Sequence, residues 1–302
     1  MMKSKHIKQT NADRLYDIVI LILISLLLLI ILYPLWFVII ASVSNSSEVM
    51  KGNVIFWPKE FSFEAYEKVL QDPKIVTGYC NTIFYTVAGT LLNLVGTIAI
   101  AYPLSRRDFV GRKVISIVLT FTMFFNGGLI PTYLVYKEIN LINTPWVMII
   151  PGMVNVYNMI VMRSFFESLP YEMHEAAFID GCGNIKIITK IVLPLSLPII
   201  AVMIIFYGVM HWNEYFSALV YISDQKLKPL QLILRDILIT STSRVSSMMS
   251  GGAANTGEMD RIRTAESIKY AVAVVSTVPV LCLYPFLQKH FSKGVMIGAI
   301  KG

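Results

Sequence analysis

The chain alternates between long apolar runs and shorter polar connections. An apolar run of about 18–20 residues can cross a bilayer as a helix. Six segments fit: 18–41, 75–102, 114–136, 146–162, 195–222 and 270–287. None shows the period-two alternation of a strand. In lipid the backbone must satisfy its own hydrogen bonds, so helices are the default. The pattern predicts an all-α polytopic membrane protein with six transmembrane helices. Some spans carry flaws. Pro34 lies near the end of the first, Asn126-Gly127-Gly128 and Pro131 interrupt the third, and Asn155 and Asn158 sit inside the fourth. The first run is longer than a signal-peptide core and is read as a retained span.

The connections set the orientation. Lys3, Lys5, Lys8 and Arg14 precede the first span, and Arg106, Arg107, Arg112 and Lys113 crowd the short connection after the second. Arg163, Lys186 and Lys190 flank the connection before the fifth, and Lys289, Lys293 and Lys301 follow the sixth. Cations dense in short segments mark the cytoplasmic side. The expected layout is a cytoplasmic segment 1–17, a first helix 18–41, an extracellular segment 42–74, a core 75–290 and a cytoplasmic tail 291–302. Within 42–74, residues 63–70 suit a short amphipathic helix. Residues 223–269 form the longest outer connection, with a small, polar, linker-like tip.

Composition agrees. The 302 residues are 55% hydrophobic and 15% charged, with mean hydropathy +0.64. Soluble domains carry about 25% charged residues. A net charge of +7 raises nucleic acid as a partner, but no basic stripe carries interleaved aromatics. Cys80, Cys182 and Cys282 are odd in number and lack metal-site spacing, and the four histidines are scattered. No catalytic residue and no metal ligand is predicted.

One connection stands out. "EAAFIDGCGNIKIITKIVLP" occupies 175–194, between two apolar runs. Pro170, Glu172 and Glu175 suit a helix start. Ala176 and Ala177 present a small surface, and Gly181 and Gly183 end the helix. Asn184 can cap a second helix over 185–192, with Pro194 opening the next span. A helix, a tight turn and a second helix follow, which by itself is compatible with an ordinary surface loop.

The spacing resembles the EAA loop of importer-type ABC permeases. Glu175-Ala176-Ala177, Gly181 and Ile191-Val192-Leu193-Pro194 match its pattern. The resemblance extends to "NTIFYTVAGTLLNLVGTIAIAYPLSR" (81–106), "HWNEYF" (211–216) and "YPFLQKHFSKGVMIGAIKG" (284–302). The last is similar to the C-terminus of the carbohydrate-uptake, MalG-like permeases of the LplC/YtcP subgroup. The resemblance implies a permease core with a cytoplasmic coupling helix that docks on an ATPase through Glu175, Ala176, Ala177, Asp180, Gly181, Leu193 and Pro194. It implies a tail, with Gly294, Lys301 and Gly302, entering the ATPase interface. It implies these partners: a sister permease, two ATP-binding subunits that use ATP and Mg, an extracellular solute-binding lipoprotein and an oligosaccharide. It places the chain in a bacterial plasma membrane, Gram-positive by subgroup. The chain itself lacks G-x-x-x-x-G-K-[ST], so no phosphate loop is predicted and the subunit is not an enzyme.

His211, Trp212, Asn213 and Glu214 lie roughly 20–30 Å above the start of the fifth span. A ring beside amide and carboxylate groups suits a sugar, and an interfacial anchor is the alternative. Asn126 and Asn155 carry the same choice between a substrate path and interhelical hydrogen bonds. A secondary transporter would show an internal repeat, and none is evident.

Overall fold

The computed structural model describes residues 11–249 and 268–282, all helical apart from turns and one isolated bridge. They divide into two compact units, one of residues up to Gln71 with Ile239–Val275, the other of Asp72–Leu238 with residues from Ser276.

In the first unit, α1 (Asn11–Ser42) is a single apolar helix with Pro34 inside it. Most of its side chains are exposed, and most of the exposed residues are Leu and Ile, as for a helix bathed in lipid. Only its last turn is buried. Ile40 and Ala41 pack with Val49 and Val54, with Phe37 and Tyr270 against them. Asn45 caps α2 (Ser46–Met50) through Ser47 N–H at 2.9 Å. The amphipathic helix expected over 63–70 is α3 (Glu64–Gln71), which buries Ala65 and Val69. Tyr66 of α3 meets the Ser42 hydroxyl at 2.7 Å. That face therefore packs on protein.

In the second unit, α4 (Pro73–Ser105) is the central element. Asp72 caps it and Pro73 opens it. It packs against α7 (Val156–Glu167) and α11 (Leu197–Trp212) around Ala101, Tyr102, Met159, Met162, Met203 and Tyr207. A second cluster joins Tyr85 to Val147, Met148, Ala218, Tyr221 and Leu232.

Most of the six apolar runs are not continuous membrane-length helices in the structure. Two helices, α1 and α4, are long and apolar enough to cross a membrane, or up to four if each bent pair is one span, among the described residues. The third predicted span is split into α5 (Arg112–Phe124) and α6 (Leu129–Glu138), bent by 114°. Asn126 Oδ1 accepts the Gly128 N–H at 3.0 Å inside that break. The fourth shrinks to the 3₁₀ turn Pro145–Met148, a turn, and α7, because the Asn155 side chain caps α7 through Asn158 N–H. The fifth ends at Trp212 and restarts as α12 (Phe216–Tyr221), whose Ser217 N–H donates to Glu214 at 2.8 Å. Hydropathy counts carbon and misses these side-chain caps, which divert the backbone ladder. The sixth appears as α14 (Ile268–Cys282), and the rest of it lies outside the described residues.

The 223–269 connection also differs from a plain loop, since α13 (Leu230–Met249) occupies much of it. Residues 250–267 and the tail with Gly294, Lys301 and Gly302 lie outside the described residues.

Candidate functional site

The 170–194 connection forms α8 (Glu172–Ile179), a turn, and a second helical stretch. Asp180 ends α8, and Gly181 follows at φ +74. That left-handed conformation favours glycine, which has no Cβ to strain. Its N–H reaches Phe178 O at 3.0 Å and the Cys182 N–H reaches Ala177 O at 3.0 Å, closing the turn. The second stretch differs from the sequence reading. Gly183, not Asn184, is the residue before α9 (Asn184–Ile187). A π-helical segment (Ile188–Val192) then leads into α10 (Leu193–Leu195). Pro194 has no N–H to donate, so it sits where the ladder is already disturbed. Ser196 turns the chain by 83° into α11.

The loop has two faces. Ala177 and Ile187 are buried in the core with Val192. On the other face Glu175, Ala176, Phe178, Ile179, Asp180 and Ile185 are exposed, Ile179 at 84%. A turn anchored by two small apolar contacts thus presents carboxylates and large apolar side chains outward together. The exposed apolar side chains are grouped with charge rather than scattered singly.

A polar latch holds α8 against the end of α4. Arg106 forms a two-pronged pair with Asp108, with Nε and Nη2 each at 2.8 Å from a carboxylate oxygen. Its remaining nitrogen, Nη1, donates to His174 Nδ1 at 3.2 Å and approaches the Tyr102 hydroxyl at 3.4 Å. His174 lies beside the rings of Tyr102 and Tyr171, at 5.8 and 6.3 Å. Hydrogen bonding from Arg106 holds Asp108 down at about 2. Burial, then the Arg106 charge, lowers the pKa of His174, with Asp108 opposing. The imidazole is therefore the neutral acceptor that Arg106 requires.

Farther along α4 a polar ladder faces α11. Asn93 is fully buried and has both ends satisfied. Its Nδ2 donates to Gly152 O and Met153 O, both at 2.9 Å, and its Oδ1 accepts from His211 Nε2 at 2.6 Å. Thr97 and Tyr207 share a hydrogen bond at 2.7 Å. Gly89 lies against the His211 ring so closely that a Cβ there would overlap it. Small residues at such crossings let helices approach. Trp212 is buried, with its Nε1 donating to Ser276 O at 3.1 Å. Asn213 is exposed and Glu214 half-exposed, at the break before α12. Asn126 and Asn155 are exposed, each capping its own backbone break.

The first turns of α4 hold the connection after α12. Asn81 Nδ2 donates to Lys226 O at 2.8 Å and Lys228 O at 3.0 Å, and Tyr85 donates to Leu227 O at 2.9 Å. The Leu230 N–H donates to Thr82 Oγ1 at 2.8 Å. Among the described residues no group of three or more His, Cys, Asp or Glu side chains is placed to hold a metal ion.

Residues 92–297 match the family model described as binding-protein-dependent transport system inner membrane component. The chain belongs to this family. It is 39% identical to the polygalacturonan/rhamnogalacturonan transport system permease protein YtcP of Bacillus subtilis (strain 168), over 96% of this chain and 99% of that protein. It is 38% identical to protein LplC of the same strain, over 97% of each. A solved bacterial ABC transporter involved in import of the acidic polysaccharide alginate contains a similar chain, at TM-score 0.85 and 32% identity, covering 94% of this chain and 99% of that one. The MalG-like carbohydrate-permease resemblance of the sequence is thereby established at the level of family.

Sequence reasoning singled out the 170–194 connection but missed its support. Arg106 entered only as an orienting charge, and His174 only as one of four scattered histidines. Asn93 was passed over inside an apolar span, although an amide in the middle of such a run is itself a signal.

Proposed function

We propose that this protein forms half of a heterodimeric pore that imports oligosaccharides derived from acidic polysaccharides. The chain is a membrane permease subunit of a carbohydrate-importing ABC transporter, and it is not the subunit that hydrolyses ATP. The acidic class is supported by two relatives, one named for polygalacturonan/rhamnogalacturonan and one for alginate. Uronate units in such glycans carry carboxylates.

In this reading six membrane passages remain, with the bent pair α5–α6 as one broken passage and both termini in the cytoplasm. The exposed face of α8 carries the proposal. Glu175, Ala176 and Asp180 meet a cleft of a separate ATPase, and the Gly181 turn with Leu193 and Pro194 passes its motion to α11. Ala177 anchors the loop from below. The tail around Gly294, Lys301 and Gly302 reaches the ATPase interface. Asn213 and Glu214 touch the sugar at the end of α11, while His211 and Trp212 set their position from inside. Asn126 and Asn155 border the same path at breaks in the backbone. An extracellular binding protein delivers the sugar to the side where the 223–269 connection begins.

The test is reconstitution in liposomes with the sister permease, ATPase and binding protein. ATP-dependent uptake of oligogalacturonides or alginate oligosaccharides is expected, with none from this chain alone. Flux by the isolated chain, or uptake restricted to neutral glycans, refutes the corresponding part of the proposal.

A further inference from the structure

A groove of about 860 Å³ runs along α5. Its two ends differ in chemistry. Arg107, Arg112, Lys113 and Arg163 ring one end, and Ile117, Phe121 and Phe124 line its length. Arg112 and Arg163 share one carboxylate, that of Glu167, with Arg163 Nε at 2.9 Å. Arg163 Nη1 also donates to Ser116 Oγ at 2.8 Å, which fixes it at the rim. Arg107 lies over the Tyr171 ring at 5.9 Å. Lys113 has no ion-pair partner among the described residues. The mouth therefore keeps an excess of positive charge. The apolar part is bare, with Ile117 60% and Phe124 76% exposed.

Length identifies the occupant. From Arg112 to Phe124 the helix rises about 18 Å at 1.5 Å per residue. One leaflet of a bilayer's hydrocarbon is about 15 Å deep, half of a roughly 30 Å core. A cationic mouth followed by one leaflet's depth of exposed apolar side chain matches an anionic headgroup followed by its acyl chain. Arginine forks and a lysine suit a phosphodiester, and basic pockets beside membrane helices attract anionic headgroups. We propose that this groove is a binding site for an anionic phospholipid of the cytoplasmic leaflet, seated by Arg107, Lys113 and Arg163 with its chain along Ile117 and Phe121. The inference rests on the reading of α5–α6 as a broken membrane passage. Because Arg107 also lies over Tyr171 at the start of the α8 connection, the bound headgroup touches the same support that positions α8.

The experiment uses the assembled transporter in nanodiscs of phosphatidylcholine with or without phosphatidylglycerol. Lipid retained by the intact complex is read by mass spectrometry, and a photo-crosslinker at Thr120 (Thr120→benzoylphenylalanine) reports what covers the groove. Wild type should retain phosphatidylglycerol over phosphatidylcholine, and the crosslink should be to lipid. The pair Arg107→Gln/Lys113→Gln should weaken that retention about thirtyfold, since each surface cation contributes about fivefold. Ile117→Trp should fill the groove and lower retention of both lipids. Equal retention of both lipids by wild type overturns the site, and so does a crosslink to another subunit. In either case continued uptake would leave the permease reading standing.

Discussion

Arg106 Nη1 donates to Nδ1 of His174 at 3.2 Å, joining the end of α4 to the middle of α8. The contact spans 68 positions of sequence and ties the core to the α8 loop. The residue of α8 buried in the core is Ala177, which is small and apolar. The tie is therefore expected to orient the loop rather than to hold the fold together. Removing it with His174→Ala should cost about 1 kcal/mol in orientation, about a fivefold loss in coupled uptake, with the complex still assembled. Uptake and substrate-stimulated ATPase in purified complex check this. Unchanged coupling would make the tie incidental.

The same tie carries a pH dependence. His174 has a folded pKa below its ordinary 6.5, so the unfolded or undocked imidazole binds a proton more readily. The contribution is fully present above about pH 6.5 and is lost as pH falls through the lowered folded value. Arg106, Asp108, Tyr102 and Tyr171 are the groups that face the ring, and only Asp108 favours its protonation. Coupled uptake at an inside pH below 6 should fall in wild type and fall less in His174→Gln. Parallel pH profiles would contradict the assignment.

At Gly181 the constraint is the backbone. A Cβ there would meet nothing within 4 Å, yet φ is +74. Gly181→Val should cost roughly 1–2 kcal/mol in the turn. Gly181→Asn should keep most activity, because asparagine tolerates the left-handed region. Uptake in cells with equal membrane levels of each variant distinguishes them, and a tolerated valine would remove the argument from φ.

The α8 loop was legible because its glycines and prolines encode backbone geometry directly. Gly181 was expected to permit a bend, and its φ bears that out. The breaks in the third, fourth and fifth spans were half legible. Asn126, Asn155 and Glu214 were noticed as polar oddities, but their hydrogen bonds to nearby N–H groups, which end or start helices, cannot be read from hydropathy. The support shell was illegible for a different reason. Arg106 and His174, or Asn93 and His211, come together only when helices far apart in sequence cross.

Gly89 and His211 yield a cycle. Gly89→Ala should drive the new methyl into the His211 ring and cost about 1–3 kcal/mol. His211→Ala removes the ring but strands Asn93 Oδ1, at about 1–3 kcal/mol. The double variant should therefore be less damaged than the two losses added together. Thermal unfolding of the solubilised complex reads this, and strict additivity would place the ring elsewhere.

In the proposed transporter the exposed face of α8 meets an ATPase. Glu175 is exposed and belongs to the first turn of α8, so a charge change there leaves the core untouched. The most direct measurement is ATPase activity of the reconstituted transporter carrying Glu175→Lys, stimulated by sugar-loaded binding protein. Docking of α8 on an ATPase predicts a complex that inserts and assembles in the membrane but loses most of its stimulated hydrolysis and its uptake. Stimulation and uptake equal to wild type would contradict it.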